Sequence, residues 1–290
     1  KKRMHQIELF IKYPNEVQQD VLNGLIDSAK DTFIGKKFDF SSINCYKDFS
    51  EKVPVFSYEE FSDKIELARK GENNIFWSSK IKWFAKSSGT TNAKSKFIPV
   101  SDESLQDCHY AAGKDLLCMY FNNNPNSQLF TGKSLRLGGS KSPYEKNGTF
   151  YGDLSAILID NMPFWAEFSS TPSNRISLME DWDKKIDKII SESLNENVTS
   201  LAGVPSWMLV LLNRILEKSE EKYISDLWPN LEVYFHGGVS FKPYLNQYKK
   251  LIGKDDMRYY EIYNASCILN ISIRGDNNSI ITAKLQKGLS

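Results

Sequence analysis

One short stretch carries the strongest chemical signal in this chain, Ser87-Ser88-Gly89-Thr90-Thr91-Asn92-Ala93-Lys94-Ser95-Lys96. Small and hydroxyl-bearing residues run ahead of two lysines, directly after the apolar Trp83-Phe84-Ala85. Gly89 lets the backbone come close to a ligand, its neighbours offer N–H and hydroxyl donors, and Lys94 or Lys96 supplies positive charge. Together these describe a loop for phosphate oxygens. The spacing excludes a Walker loop, because no second glycine precedes the lysines. An ordinary hairpin turn with exposed lysines accounts for the same composition, and the residues alone leave both readings open.

Two further stretches end in residues suited to a ligand. Leu231-Glu232-Val233-Tyr234-Phe235-His236-Gly237-Gly238-Val239 reads as a buried strand closing in two glycines, against which a flat ring can lie. Met257-Arg258-Tyr259-Tyr260-Glu261-Ile262-Tyr263-Asn264-Ala265-Ser266 reads as an aromatic and β-branched strand closing in small polar residues. In open α/β sheets ligands sit beyond the carboxyl ends of strands, where all three stretches place their polar residues. Ser134-Leu135-Arg136-Leu137-Gly138-Gly139 is a weaker instance of the same pattern. Trp165, Phe168 and Trp207 are candidates to line a pocket for an organic substrate.

Positioning these stretches requires a scaffold of helices and strands. Val17, Val21, Leu22, Leu25 and Ile26 fall at helical spacing within 14–34, with Pro14 at the start and Gly35 after the end. Ser57 caps a helix running toward Gly71. After the strand-like Phe97-Ile98-Pro99-Val100, Ser101 opens a long helix toward Tyr120 with Leu105, Cys108, Ala112, Leu116 and Met119 on one face. The stretch 148–179, rich in Gly, Ser, Pro and aromatics, reads as a mixed surface crossing. A helix over 182–194, a strand over 198–204 and a helix begun by Pro205 then alternate. This rhythm predicts an α/β fold.

Composition narrows the partners. At 290 residues and 41% hydrophobic content the chain can bury a large core. Its formal net charge of +1 gives no global field for nucleic acid or an anionic membrane, so phosphate recognition must be local. No apolar run is long enough to span a bilayer and Lys1-Lys2-Arg3-Met4-His5 leads into no secretory segment, so a cytoplasmic protein is expected. Cys45, Cys108, Cys118 and Cys267 and the scattered His5, His109 and His236 show no metal spacing.

The order Ser87-Ser88-Gly89-Thr90-Thr91, His236-Gly237-Gly238-Val239, Tyr263-Asn264-Ala265-Ser266 resembles the nucleotide-binding motifs of adenylate-forming enzymes. With Val204-Pro205-Ser206-Trp207 it is similar, over about residues 5 to 266, to the auxin-responsive-promoter family of acyl-acid amido synthetases. The resemblance implies a large N-terminal adenylation domain over 1–266, built of layered mixed sheets with flanking helices. It implies that ATP and a small carboxylic acid form an acyl-adenylate, and that the acyl group passes to an amino acid or other amine. Carried over, Ser87 to Thr91 hold the phosphates with Lys94 and Lys96 as charge partners. His236, Gly237, Gly238 and Val239 border the adenine, and Tyr263, Asn264, Ala265 and Ser266 reach the nucleotide and its α-phosphate. Positioned donors, lysine and Mg²⁺ suit the charge that builds as a carboxylate attacks phosphorus.

The chain departs from the family pattern after Ser266. The family has there a glutamate that helps hold Mg²⁺, where this chain has Cys267, a poor ligand for a hard cation, so no metal-ligating residue is assigned. Either the ligand is lost or residues are missing between Ser266 and Cys267, and the fit of everything before favours the second. Residues 267–290 are a candidate remnant or fragment of the family's closing domain, and Arg274-Gly275-Asp276 is one residue short of its ribose motif. Two alternatives stand beside the synthetase: a degenerate or truncated nucleotide-binding module without full catalysis, and a thioester-forming acyl ligase.

Overall fold

The computed structural model describes residues 2–87, 95–138, 142–265, 268–274 and 280–283, with side chains through Ile262 except that of Trp165. Its strands, in chain order, are β1 (Trp83–Ser87), β2 (Lys96–Val100), β3 (Lys133–Leu137), β4 (Tyr144–Lys146), β5 (Thr149–Gly152) and β6 (Ser170–Thr171). There follow β7 (Val198–Gly203), β8 (Val233–Gly237), β9 (Arg258–Ala265), β10 (Ile268–Arg274) and β11 (Ile280–Ala283). They form two mixed sheets flanked by helices, one of four strands in the order β2-β1-β5-β4 and one of seven in the order β11-β10-β9-β8-β7-β3-β6. Helices between strands force parallel neighbours: β6, β3, β7, β8 and β9 run in one direction. At the far side of the sheet β10 pairs antiparallel with β9, and β11 antiparallel with β10.

Strand periodicity assigns the two faces of the larger sheet. On β8, Tyr234 and His236 point to one face, and Val233 and Phe235 to the other. The first face is covered by helix Trp182–Ser193 through Ile186, Ile189 and Ile190, and by helix Pro205–Ser219 through Met208, Leu211, Leu212 and Ile215. Spacings of three and four residues put each set on one stripe, and a fully buried Leu or Ile contributes about 2 kcal/mol. The second face receives helix Ala111–Asn123 through Ala112, Leu116, Met119 and Tyr120. The N-terminal helix Lys2–Lys12 docks there by Ile7, and by Arg3, whose Nη2 donates to the buried carboxylate of Asp115 at 2.7 Å.

Several boundaries differ from the sequence expectation. The helix expected over 14–34 stops at Ala29, and a separate short helix, Phe33–Lys37, follows. Thr32 makes the break: its hydroxyl donates to the Ala29 carbonyl at 2.7 Å and accepts from the Gly35 N–H at 3.0 Å. Gly35 lies inside that second helix and does not end the first. Ser57 does open helix Tyr58–Arg69, its N–H and hydroxyl both donating to the Glu60 carboxylate. The helical run after Ser101 is continuous to Asn123, but Ser104–Tyr110 takes π-helical pairing. The crossing over 148–179 contains β5, which joins β1 in parallel and carries Phe150 onto Trp83 with ring centroids 4.6 Å apart.

Candidate nucleotide site at the strand ends

Pairing register builds the site. Leu137 of β3, Gly203 of β7, His236 of β8 and Glu261 of β9 lie in one row across the parallel strands, and Gly237 pairs with Ile262 in the next. The β8 end that leads to Gly238 and Val239 therefore abuts the β9 end that leads to Tyr263, Asn264, Ala265 and Ser266. β9 runs through Ala265, while Ser266 and Cys267 lie outside the described residues. Glycine is required at the rim. A Cβ on Gly237 would stand 2.2 Å from the Ile262 carbonyl oxygen, and Gly238 has φ +85. Gly237 is half-buried and Gly238 and Val239 are exposed, so this rim is open to a ligand.

The His236 side chain serves the packed face and not the rim. It is buried, stacks on Phe241 with centroids 4.0 Å apart at 21°, and its Nδ1 has no hydrogen-bond partner. Burial pulls its pKa down to about 4, so it is neutral at pH 7. Beneath the rim, the Tyr234 hydroxyl donates to the Gly203 carbonyl at 3.0 Å and the Tyr248 hydroxyl to the Pro205 carbonyl at 2.7 Å. These bonds fix where Val204-Pro205-Ser206-Trp207 leaves the sheet. Pro205 stands in the first turn of its helix, as the sequence predicts.

Lys185 was not singled out by the sequence reading, although its place on an otherwise apolar stripe beside Ile186 and Ile189 was a usable signal. It is buried and its Nζ donates to the Gly138 carbonyl at 3.2 Å, which fixes the end of β3. Burial lowers its pKa. Arg136, Tyr234 and Tyr248 each look like an ordinary strand or helix residue until their neighbours are known.

The remaining candidates separate. Ser87 ends β1 opposite Lys96 of β2, so the phosphate-loop segment joins two antiparallel strands of the smaller sheet. Ser88, Gly89, Thr90, Thr91 and Lys94 lie outside the described residues, as does Gly139. Lys96 faces Glu59, with Nζ 3.9 Å from its Oε1, and lies over the Tyr58 ring. Trp207 is 53% exposed just beyond the carboxyl end of β7, with Trp182 edge-on at 4.9 Å. Phe168 is exposed against Phe164 and precedes β6 next to Ser169, whose carbonyl accepts from Ser134 near the amino end of β3. Trp207 and Phe168 are thus not brought together. The side chain of Trp165 is outside the described set.

An open, glycine-lined rim at the carboxyl ends of parallel strands fits a flat, hydrogen-bonding ligand such as a nucleotide base. Among the described residues no three His, Cys, Asp or Glu side chains come together to hold a metal. Among the described residues no helix is long and apolar enough to cross a membrane.

Comparison with known proteins gives the family and the fold. The model of the "GH3 family N-terminal domain" matches residues 3–257. The chain is 32% identical over 105 residues to "Indole-3-acetic acid-amido synthetase GH3.2" of Arabidopsis thaliana, covering 36% of this chain and 19% of that protein. Over the same share it is 31% identical to "Indole-3-acetic acid-amido synthetase GH3.4" of the same plant, 18% of which is covered. Its fold matches the solved "AtGH3.15 acyl acid amido synthetase in complex with 2,4-DB" with a TM-score of 0.73 at 16% identity, covering 89% of this chain and 54% of that one. A 2-hydroxyisobutyryl-CoA ligase shares the fold more distantly, with a TM-score of 0.54 at 11% identity, over 87% of this chain and 54% of its own. The chain thus spans about half of these solved proteins and about a fifth of the plant synthetases.

Proposed function

Because this chain belongs to the GH3 family, we propose that it is the N-terminal, adenylating part of an ATP-dependent acyl-acid amido synthetase. In this reading ATP and a small carboxylic acid are substrates. A carboxylate oxygen attacks the α-phosphorus, pyrophosphate leaves, and the acyl group of the resulting acyl-adenylate passes to an amino acid or other amine. The observation that carries the reading is the row Leu137, Gly203, His236, Glu261 opening onto Gly237 and Gly238 at the centre of the parallel strands.

Residues 1–266 form the adenylation domain in this reading. Gly237, Gly238 and Val239 border the adenine, with buried His236 holding the strand beneath them. Tyr263, Asn264, Ala265 and Ser266 reach toward the α-phosphate. Ser87, Ser88, Gly89, Thr90 and Thr91 hold the outer phosphates, with Lys94 as charge partner. Lys96, next to Glu59, braces the loop's return strand. Trp207 lines the acyl pocket, while Phe168, near the amino end of β3, stands apart from it. Mg²⁺ accompanies ATP on its own phosphate oxygens, and no protein-ligand cage is assigned to it. The free thiols of Cys45, Cys108 and Cys118 suit the cytoplasm.

Two measurements test the reading. Titration with ATP is expected to show binding that Gly237→Val abolishes, because the added branches collide with the Ile262 backbone. Exchange of labelled pyrophosphate into ATP is expected to require an added carboxylic acid and to fall in Ser88→Ala. Failure of the unaltered chain to bind any adenine nucleotide overturns the proposal.

A further inference from the structure

Arg136 sits on β3 one residue before the row that ends at the candidate site, and on the face opposite Leu135 and Leu137. Its guanidinium is poorly served. Nε is shut off from solvent without a hydrogen-bond partner, Nη1 meets the Met162 thioether at 2.6 Å, and Nη2 reaches the Asn174 side-chain oxygen at 3.4 Å. A thioether is a weak acceptor and a guanidinium carries five donors, so among the described residues most of its hydrogen-bonding capacity is unmet. The carboxylate whose charge acts on it, that of Glu167, makes no ion pair with it and instead accepts from the Asn174 N–H at 3.3 Å. Burial pulls the Arg136 pKa down to about 10, Glu167 opposing only in part. An arginine placed only for structure would be expected to have a carboxylate or carbonyl across from its fork.

The sheet opens beside it. Across the register Arg136 faces Ala202 of β7. The first four residues of β7 are fully buried, yet Ala202 and Gly203 at its end are half-exposed. Ala202, on the same face as Arg136, puts only a methyl group beside the half-buried cation. β3, β7, β8 and β9 are successive neighbours. At about 4.8 Å per strand Arg136 is roughly 10 Å from β8 and 14 Å from β9. That is too far to touch a carboxyl group reacting near the β9 end, and within reach of the far part of a small substrate.

We infer that Arg136 binds a second substrate carboxylate, distinct from the one that is activated. The inference rests on the adenylating reading above. The group is either a distal carboxylate of the acyl acid or the α-carboxylate of an amino-acid acceptor, and both present the planar pair of oxygens that a guanidinium matches.

The test is calorimetry on the 290-residue chain saturated with a non-hydrolysable ATP analogue, with adipate against hexanoate and L-alanine against L-alaninamide. A distal acyl carboxylate predicts that adipate binds about tenfold or more tighter than hexanoate. An acceptor carboxylate predicts the same preference for L-alanine over its amide. Arg136→Leu is expected to erase whichever preference is found, and Arg136→Lys to retain part of it. If the unaltered chain binds the analogue but discriminates neither pair, the inference falls without any variant being needed. It also falls if the preference survives in Arg136→Leu. Failure of the unaltered chain to bind the analogue is a different result and overturns the nucleotide reading itself.

Discussion

The hydroxyl of Tyr248 donates to the carbonyl of Pro205 at 2.7 Å, from helix Leu245–Ile252 across to the first turn of helix Pro205–Ser219. Tyr234 lies 3.4 Å away, oxygen to oxygen, and makes the companion bond to Gly203. Burial raises both phenol pKa values, so both remain donors across the working pH range. The pair clamps the exit of β7 that the rim of the site shares.

From this clamp, Tyr248→Phe and Tyr234→Phe are each expected to cost about 1 kcal/mol, the net worth of one buried hydrogen bond. The double variant should lose less than the sum, because the two hydroxyls are in contact. Urea unfolding of the three variants checks this. Additive losses would show that the two bonds act independently.

Glycine should be indispensable at one position and replaceable at another. Gly237→Ala puts a Cβ 2.2 Å from the Ile262 oxygen and is expected to destabilise by about 1–3 kcal/mol. Gly113, within helix Ala111–Asn123, has nothing within 4 Å of its would-be Cβ, and Gly113→Ala should stabilise by up to about 1 kcal/mol. Thermal unfolding of the two variants is the check, and equal effects would contradict the geometry.

His236 makes stability depend on acid. Its folded pKa of about 4 lies below the ordinary 6.5, so between these values the unfolded chain binds the extra proton. The contribution is fully present above about pH 6.5 and is lost as pH falls toward 4, amounting to at most about 3 kcal/mol. Buried His109, also shifted down by desolvation, adds in the same direction. Unfolding followed from pH 7 to pH 4 should show the loss, with a shallower slope in His236→Asn. An unchanged slope in that variant would remove His236 as the source.

Trp207 and Phe168 offer a contrast between exposed aromatics at the two ends of the strands. Trp207→Ala is expected to change stability by less than about 1 kcal/mol while raising the KM for the acid several-fold in pyrophosphate exchange. Phe168→Ala, further from the rim, should leave KM nearly unchanged. Equal KM effects would place both rings on one pocket wall.

What the sequence determined was local. Apolar, aromatic and β-branched runs within 231–239 and 257–265 give strands, Gly237-Gly238 gives a rim without side chains, Pro205 and Ser57 start helices, and the order of three motifs carries the family resemblance. The strand, rim and cap signals depend on residues a few positions apart and the motif order on the chain alone, so each is legible without a fold. The tertiary structure decided what depends on distant partners. It set the parallel pairing of β1 with β5, the row that joins Leu137, Gly203, His236 and Glu261, and the turning of His236 onto Phe241. It carried Lys185 to the end of β3 and left Arg136 half-buried with few partners among the described residues. Burial and unmet hydrogen bonds are properties of the space around a side chain, and that space is filled by residues far away in the chain.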